Sequence, residues 1–98
     1  MDVYRPHRKM VQRIMLPTDN FGFEFMNICG PRIKQSREEL KMPQAELAAA
    51  MKVDFEIKID RSDISEIERG VRGLKDYELF AIAKILNVSP VWLLCGEE

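Results

Sequence analysis

The pattern of hydrophobic and polar positions changes near residue 27 of the chain. Beyond that point apolar residues recur every three or four positions, the period of helices with one buried face. Asn27 is suited to cap a first helix that ends near Lys41, with Ile28, Ile33 and Leu40 on its apolar face. Pro31 is tolerated in the first turn, because the N–H groups there have no partners within the helix. A helical region therefore begins here.

A second helix is predicted from Gln44 to about Phe55. Leu47, Met51 and Phe55 follow one another at intervals of four residues, as they do on one face of a helix. A competing pattern overlaps its end, because apolar residues at 53, 55, 57 and 59 alternate with charged ones as in a strand. We favour the helix as far as Phe55, followed by a short extended link to Ile59.

Capping residues and helix-ending residues mark three further helices. Asp60 and Asp63 place an N-cap and a second carboxylate at the positive end of the third helix. The three helices are expected to begin and end, in order, at Asp60 and Gly70, at Asp76 and Asn87, and at Ser89 and Gly96. The residues expected to face inward are Ile64, Ile67, Leu79, Ile82, Ala83, Leu86 and Trp92.

These elements predict an all-α domain of five helices at residues 26–98, preceded by an N-terminal arm at residues 1–25. In the arm, Phe21, Phe23 and Phe25 alternate with other residues, which suits partly extended structure. The arm carries too much apolar surface for a free tail. It either folds back on its own domain or crosses to a second subunit. We favour the crossing arm, since exchanged arms are a low-cost route to a two-fold dimer.

Composition places the chain among small globular proteins. Its 98 residues are 46% apolar and 32% charged, enough for one domain with a modest core. The two cysteines, Cys29 and Cys95, have neither metal-ligand spacing nor a disulfide framework, which favours a reduced, cytoplasmic setting. No apolar run approaches the roughly 18 residues that span a bilayer, and we expect neither a signal peptide nor a separate sensor domain.

The net charge of −1 conceals an uneven distribution. Residues 1–37 hold seven basic side chains and three acidic ones, whereas residues 38–98 hold eight basic and thirteen acidic ones. A protein that is basic throughout would indicate nucleic acid as its partner. Any nucleic-acid surface on this chain must therefore be local.

The order of the helices carries a family resemblance. Two short helices in succession, at 44–55 and 60–70, resemble the helix-turn-helix of the phage repressor and Cro family of DNA-binding domains, the Xre-like regulators. The matching stretches are RIKQSREEL (32–40), PQAELA (43–48), DRSDISEIERG (60–70), ELFAIAKIL (78–86) and NVSPVWLLCG (87–96). The sequence departs from the family in one place. About six extra residues, 53–58, follow Lys52, where the family usually has a glycine and a short link.

The third helix is the expected reading element, because a helix fits the major groove of DNA. With Ile64 and Ile67 facing inward, the residues expected to read bases are Arg61, Ser62, Ser65 and Glu66; the resemblance assigns this role to three of them, Arg61, Ser62 and Glu66. An arginine donates two hydrogen bonds to guanine, and a glutamate accepts one from the cytosine amino group. The residues expected on phosphates are Gln44, Arg69, Arg72 and Lys75, with Arg32, Lys34 and Arg37 as weaker candidates.

Asp63, Glu66 and Glu68 make this helix acidic for a surface that faces phosphates. We assign Asp63 to capping and Glu68 to an ion pair with an arginine inside the domain. Only Glu66 then needs a base as its partner.

The resemblance implies a sequence-specific transcriptional regulator of the repressor type, acting as a homodimer on an inverted repeat in double-stranded DNA. No nucleophile and base set or phosphate-binding glycine loop is present, so we expect no enzyme, cofactor or metal. Two alternatives stay open. The chain is an antitoxin or another protein-interaction module with the same fold, whose arm binds a toxin or other partner, or it is a helix-turn-helix that has lost DNA binding.

Overall fold

The computed structural model describes residues 25–96 of the chain. These residues form five helices and no strand, which confirms the prediction of an all-α, five-helix domain for this part of the chain. The helices are α1 (Gly30–Glu39), α2 (Gln44–Phe55), α3 (Arg61–Arg69), α4 (Asp76–Leu86) and α5 (Pro90–Cys95). The predicted arm, apart from Phe25, lies outside the described residues, and so do residues 97 and 98.

Helix α1 begins later in the chain than predicted, and Asn27 caps it from two residues before the N-cap position. The helix begins at Gly30 with Cys29 as its N-cap, and the Asn27 side-chain oxygen accepts hydrogen bonds from the N–H groups of Cys29 (2.9 Å) and Gly30 (2.8 Å). The amide nitrogen of Asn27 donates to the carbonyl oxygens of Ile67 (3.1 Å) and Arg72 (2.9 Å). One buried side chain thus ties the start of α1 to the end of α3.

The face of α1 predicted to be buried needs a correction at both ends, and at the first of them Ile28 precedes the helix and is only partly buried. The helix stops at Glu39, and Lys41 adopts a left-handed conformation with φ of 55°. The N–H of Met42 then donates to the carbonyl oxygen of Arg37 (3.1 Å), which closes the turn. Leu40 was expected on the buried face but is 52% exposed, because the chain leaves the helix before it. Met42 packs against the core in its place.

The helical interpretation of residues 44–55 is confirmed, and the competing strand is wrong. Leu47 and Met51 are fully buried, whereas Val53, which a strand would have placed beside them, is 77% exposed. Glu56 ends α2 in a left-handed conformation with φ of 57°, and residues 56–60 form the link to α3 without regular secondary structure. Of the extra residues 53–58, the first three therefore lengthen α2 and the other three lie in the link, and α3 is left intact.

The core lies where α3 packs against α1 and α2, and where α4 packs against α2 and α5. Trp92 and Leu79, both expected in the core, are only partly buried and pack against its edge. The fully buried large side chains are Ile33, Leu47, Met51, Ile64, Ile67, Ile82, Leu93 and Cys29.

At Gly30 the backbone of α1 lies directly against the last turn of α3. A Cβ atom at Gly30 would lie 2.5 Å from the carbonyl oxygen of Ile67 and 2.6 Å from that of Glu68. Both distances are far below van der Waals contact, so only glycine fits between α1 and α3 at this point.

Gly30→Ala should lower the free energy of unfolding by about 1–3 kcal/mol, because the new methyl group meets backbone atoms that move only if α3 moves. Gly73→Ala is the matched control, since a Cβ there meets nothing within 4 Å. It should leave stability unchanged or raise it by up to about 1 kcal/mol. Urea denaturation measures both variants, and similar losses in the two would contradict the close approach.

Candidate nucleic-acid interface

The outward face of α3 is the candidate surface for DNA. Ile64 and Ile67 are fully buried and Glu68 nearly so, which turns the remaining side chains of the helix towards solvent. Those that stay exposed or partly exposed on this face are Arg61, Ser62, Ser65, Glu66 and Arg69. The structure therefore brings the four residues expected to read bases onto one accessible side of a single helix.

The start of α3 is held by a reciprocal pair of caps. Asp60 accepts hydrogen bonds from the N–H of Asp63 (2.9 Å) and from the hydroxyl of Ser62 (2.7 Å), and the Asp63 carboxylate accepts one from the N–H of Asp60 (3.0 Å). The hydrogen bond from Ser62 and that from the N–H of Asp63 lower the pKa of Asp60. The assignment of Asp63 to capping is confirmed.

Glu68, near the other end of α3, points into the domain and pairs with Arg37 of α1. Arg37 donates through Nε to Glu68 Oε2 (2.6 Å) and through Nη2 to Oε1 (3.0 Å), and its Nη1 donates to the carbonyl oxygen of Met42 (2.7 Å). The hydrogen bond to Glu68 raises the pKa of Arg37, although burial alone would lower it. The predicted interior partner of Glu68 is thus confirmed, and Arg37 is wrong as a phosphate candidate because it is buried.

Gln44 connects this ion pair to the exposed face of α3. Its amide nitrogen donates to Glu68 Oε1 (2.9 Å), and its amide oxygen accepts a hydrogen bond from Nη1 of Arg61 (3.3 Å). Gln44 is also the first residue of α2, whose N-terminus has no side-chain cap. The positive end of α2 and the guanidinium of Arg61 therefore lie side by side.

The four residues expected on phosphates lie in different surroundings. Gln44 is partly buried, Arg69 and Lys75 are exposed, and Arg69 donates from Nε to the hydroxyl of Ser65 (3.3 Å). Arg72 directs its two terminal nitrogens to the oxygens of Glu78 (3.0 and 3.1 Å). The phosphate role of Arg72 would therefore require its guanidinium to share or leave that carboxylate.

Glu78, the partner of Arg72, is a buried carboxylate at the start of α4. Burial by itself would raise the pKa of Glu78, but the hydrogen bonds from Arg72 and from the N–H of Lys75 (2.9 Å) outweigh it, so the pKa is lowered. The same pairing raises the pKa of Arg72. This ion pair fixes the turn between α3 and α4, on which Lys75 is carried.

Sequence reasoning missed the connection from Arg37 to Arg61 through Glu68 and Gln44. The residue types were visible, but the sequence offered several arginines for one glutamate. Arg32, another candidate cation of α1, donates from Nη1 to the carbonyl oxygen of Leu93 (3.3 Å) and lies over the end of α5. Lys34 is exposed on α1.

Residues 25–96 contain no cluster of three or more histidine, cysteine or carboxylate side chains that could hold a metal ion. Cys29 and Cys95 are both free thiols, the former buried and the latter exposed, and burial raises the pKa of Cys29. Over the same range, the helices are all too short or too polar to traverse a bilayer.

Comparisons with known proteins agree with this geometry. A family model described as a helix-turn-helix domain matches residues 30–98. The HTH-type transcriptional regulator DicA of Escherichia coli (strain K12) is 39% identical over 69 residues, which cover 70% of this chain and 47% of DicA. The chain thus spans about half the length of that curated relative. A similar solved structure is the P22 c2 repressor protein in complex with synthetic operator 9T in the presence of Tl⁺, with a TM-score of 0.62, 31% identity, and coverage of 72% of this chain and 98% of that one.

Glu68→Ala should lower the free energy of unfolding by about 3–5 kcal/mol, because it leaves the charge of Arg37 buried without a partner. The double variant Arg37→Met/Glu68→Leu removes both charges and keeps the volume filled, so it should recover most of that loss. Denaturant unfolding of the two variants measures the difference. If the double variant is as unstable as the single one, lost packing rather than an unpaired charge is responsible.

Proposed function

The chain belongs to the helix-turn-helix domain family, and on that basis we propose that it is a sequence-specific, DNA-binding transcriptional regulator of the repressor type. The resemblance to the phage repressor and Cro family is confirmed by the match over residues 30–98 and by the similar proteins. Those proteins are named as a transcriptional regulator and as a repressor in complex with an operator, which supports a role in DNA binding rather than in catalysis.

The observation that carries this proposal is the hydrogen bond between Arg61 and Gln44. It joins the exposed face of α3 to the N-terminus of α2, so that a side chain able to read a base edge lies next to a helix terminus able to bind a phosphate. With α3 in the major groove, the N–H groups at the start of α2 meet the adjacent sugar–phosphate backbone.

We assign the base-reading roles along α3 by donor and acceptor chemistry. Arg61 donates two hydrogen bonds to O6 and N7 of a guanine, and Glu66 accepts one from the amino group of a cytosine. Ser62 and Ser65 contact bases of either kind through their hydroxyl groups. The caps at the start of α3 support this assignment, because they fix the end of the helix that enters the groove.

The phosphate roles fall to Gln44, Arg69 and Lys75, which are exposed or lie at a helix terminus. Arg72 contacts a phosphate only if its guanidinium binds Glu78 and a phosphate oxygen at the same time. Its first role is to hold the turn that presents Lys75, through the carboxylate that also accepts from the N–H of Lys75.

The regulator acts in the cytoplasm as a homodimer on an inverted-repeat operator. A single α3 reads only a few base pairs, and two-fold pairing of subunits doubles the site with the symmetry of an inverted repeat. Val91 on α5 is 51% exposed and offers an apolar contact for such pairing.

Arg61→Ala and Lys75→Ala should weaken binding in different ways. Loss of Arg61 should reduce discrimination at one base pair by about 1–3 kcal/mol, whereas loss of Lys75 should weaken cognate and random DNA alike. An operator is first selected from random duplexes, and both variants are then titrated against that operator and its single-base changes. Equal losses on operator and random DNA for Arg61→Ala would place Arg61 on the backbone instead.

Affinity should also depend on salt, with a modest slope. Each phosphate that a cation neutralises adds roughly 0.9 to the slope of log affinity against log salt, so two or three contacts give about 2–3 per subunit. Lys75→Ala should reduce the slope by about 1. Fluorescence anisotropy at several salt concentrations measures it, and an affinity independent of salt would exclude the proposed interface.

A further inference from the structure

An apolar groove opens beside the first described residues, between the segment that precedes α1, the start of α4 and the end of α5. Its volume is about 210 Å³. Two of its residues are strongly exposed for their type, Met26 at 61% and Leu94 at 41%. The apolar side chains that line it are Met26, Ile28, Cys29, Leu74, Leu79 and Leu94.

The lining selects an apolar occupant. Asn27, the one amide side chain among the described residues that line the groove, is already hydrogen-bonded within the domain. Its oxygen accepts from two N–H groups, and its nitrogen donates to two carbonyl oxygens. Asn27 therefore has no free amide hydrogen to donate to a polar ligand. An apolar cavity of about 150 Å³ accommodates benzene, so a groove of this volume suits one phenyl ring.

The chain carries further phenylalanines close in sequence to this groove. Met26, which lines the groove, donates its N–H to the carbonyl oxygen of Gly70 (2.7 Å), and the ring of Phe25 lies directly against Gly70. The root of the N-terminal arm is thereby fixed at the edge of the groove. Phe21 and Phe23 precede Phe25 by four and two positions. At about 3.3–3.6 Å per residue, the chain from Phe21 to Phe25 spans at most roughly 14 Å, which is short enough to reach the groove.

We propose that this groove is the docking site of the chain's own segment 21–23, which places a phenylalanine ring over Leu94 and Met26. The sequence alone favoured an arm that crosses to a second subunit. A groove at the arm's own root favours docking within one subunit, because a short tether gives the segment a high effective concentration there. The proposal concerns the arm alone and does not depend on the role in DNA binding.

Cleavage of the full chain by chymotrypsin after Phe21 and Phe23 tests the docking. Leu94→Glu places a charge in the groove and should accelerate this cleavage roughly tenfold or more, because the released segment becomes a substrate. Val53→Glu is the matched control, since Val53 is 77% exposed on α2 and does not line the groove. It should leave the cleavage rate unchanged. Equal rates in the Leu94→Glu variant and the unmodified chain would overturn the proposal.

A second measurement covers the case in which Leu94→Glu loses helical content by circular dichroism. In methyl NMR spectra of the full chain, a ring in the groove shifts the methyl resonances of Leu74 and Leu94 upfield. The variant Phe21→Leu/Phe23→Leu should abolish that shift, whereas Phe80→Leu, outside the groove, should keep it. Resonances that are the same in the double variant and the unmodified chain would mean that neither ring occupies the groove.

Dilution distinguishes the two possible sources of the ring. Docking within one subunit predicts that protection from chymotrypsin and the methyl shifts are independent of protein concentration. Protection that disappears on dilution, together with a fall in mass by light scattering, would assign the groove to the arm of a second copy and overturn docking within the subunit.

Discussion

The buried ion pair between Arg37 and Glu68 is the constraint on which the arrangement of the first three helices depends. Two charges withdrawn from water are tolerated only where geometry and hydrogen bonding are nearly complete. Here the guanidinium of Arg37 binds both oxygens of Glu68 and the carbonyl oxygen of Met42, and Gln44 adds a further donor to Glu68. A small shift of α1, α2 or α3 would break one of these bonds. The pair thus specifies one relative placement of the three helices.

That placement determines which charges α3 presents. The helix carries three carboxylates, a poor composition for a surface that meets phosphates. Glu68 is withdrawn into the ion pair and Asp63 is engaged in the capping box, so Glu66 is left on the outward face beside the cations Arg61 and Arg69. The overall charge of −1 is therefore no guide to this surface. The local charge of this surface depends on which charged side chains are engaged in ion pairs and caps within the domain.

The extra residues, in the last turn of α2 and in the link after it, are stabilised by contacts with α4 and with the core. Phe55, in the last turn of α2, meets Phe80 of α4 with ring centroids 6.3 Å apart and planes at 90°, an edge-to-face arrangement. Ile57 and Ile59 of the link also pack on the core. Because these contacts hold the longer helix and its link in place, the start of α3 keeps its position beside the start of α2, where Arg61 meets Gln44.

The sequence by itself determined the helices and the face that α3 turns outward, because both follow from local chemistry. Asp60, Ser89 and the glycines at 70 and 96 bound their helices as predicted, since a cap acts within about four residues. Only the tertiary structure decided which residues far apart in the sequence bind each other. Asn27, which caps α1, is held by hydrogen bonds to residues 40 and 45 positions away, and Glu68 pairs with Arg37, 31 positions away, although the sequence offers several other arginines. Local periodicity says that a side chain is buried, but it does not say which distant partner compensates its charge, because that partner exists only once the helices have packed.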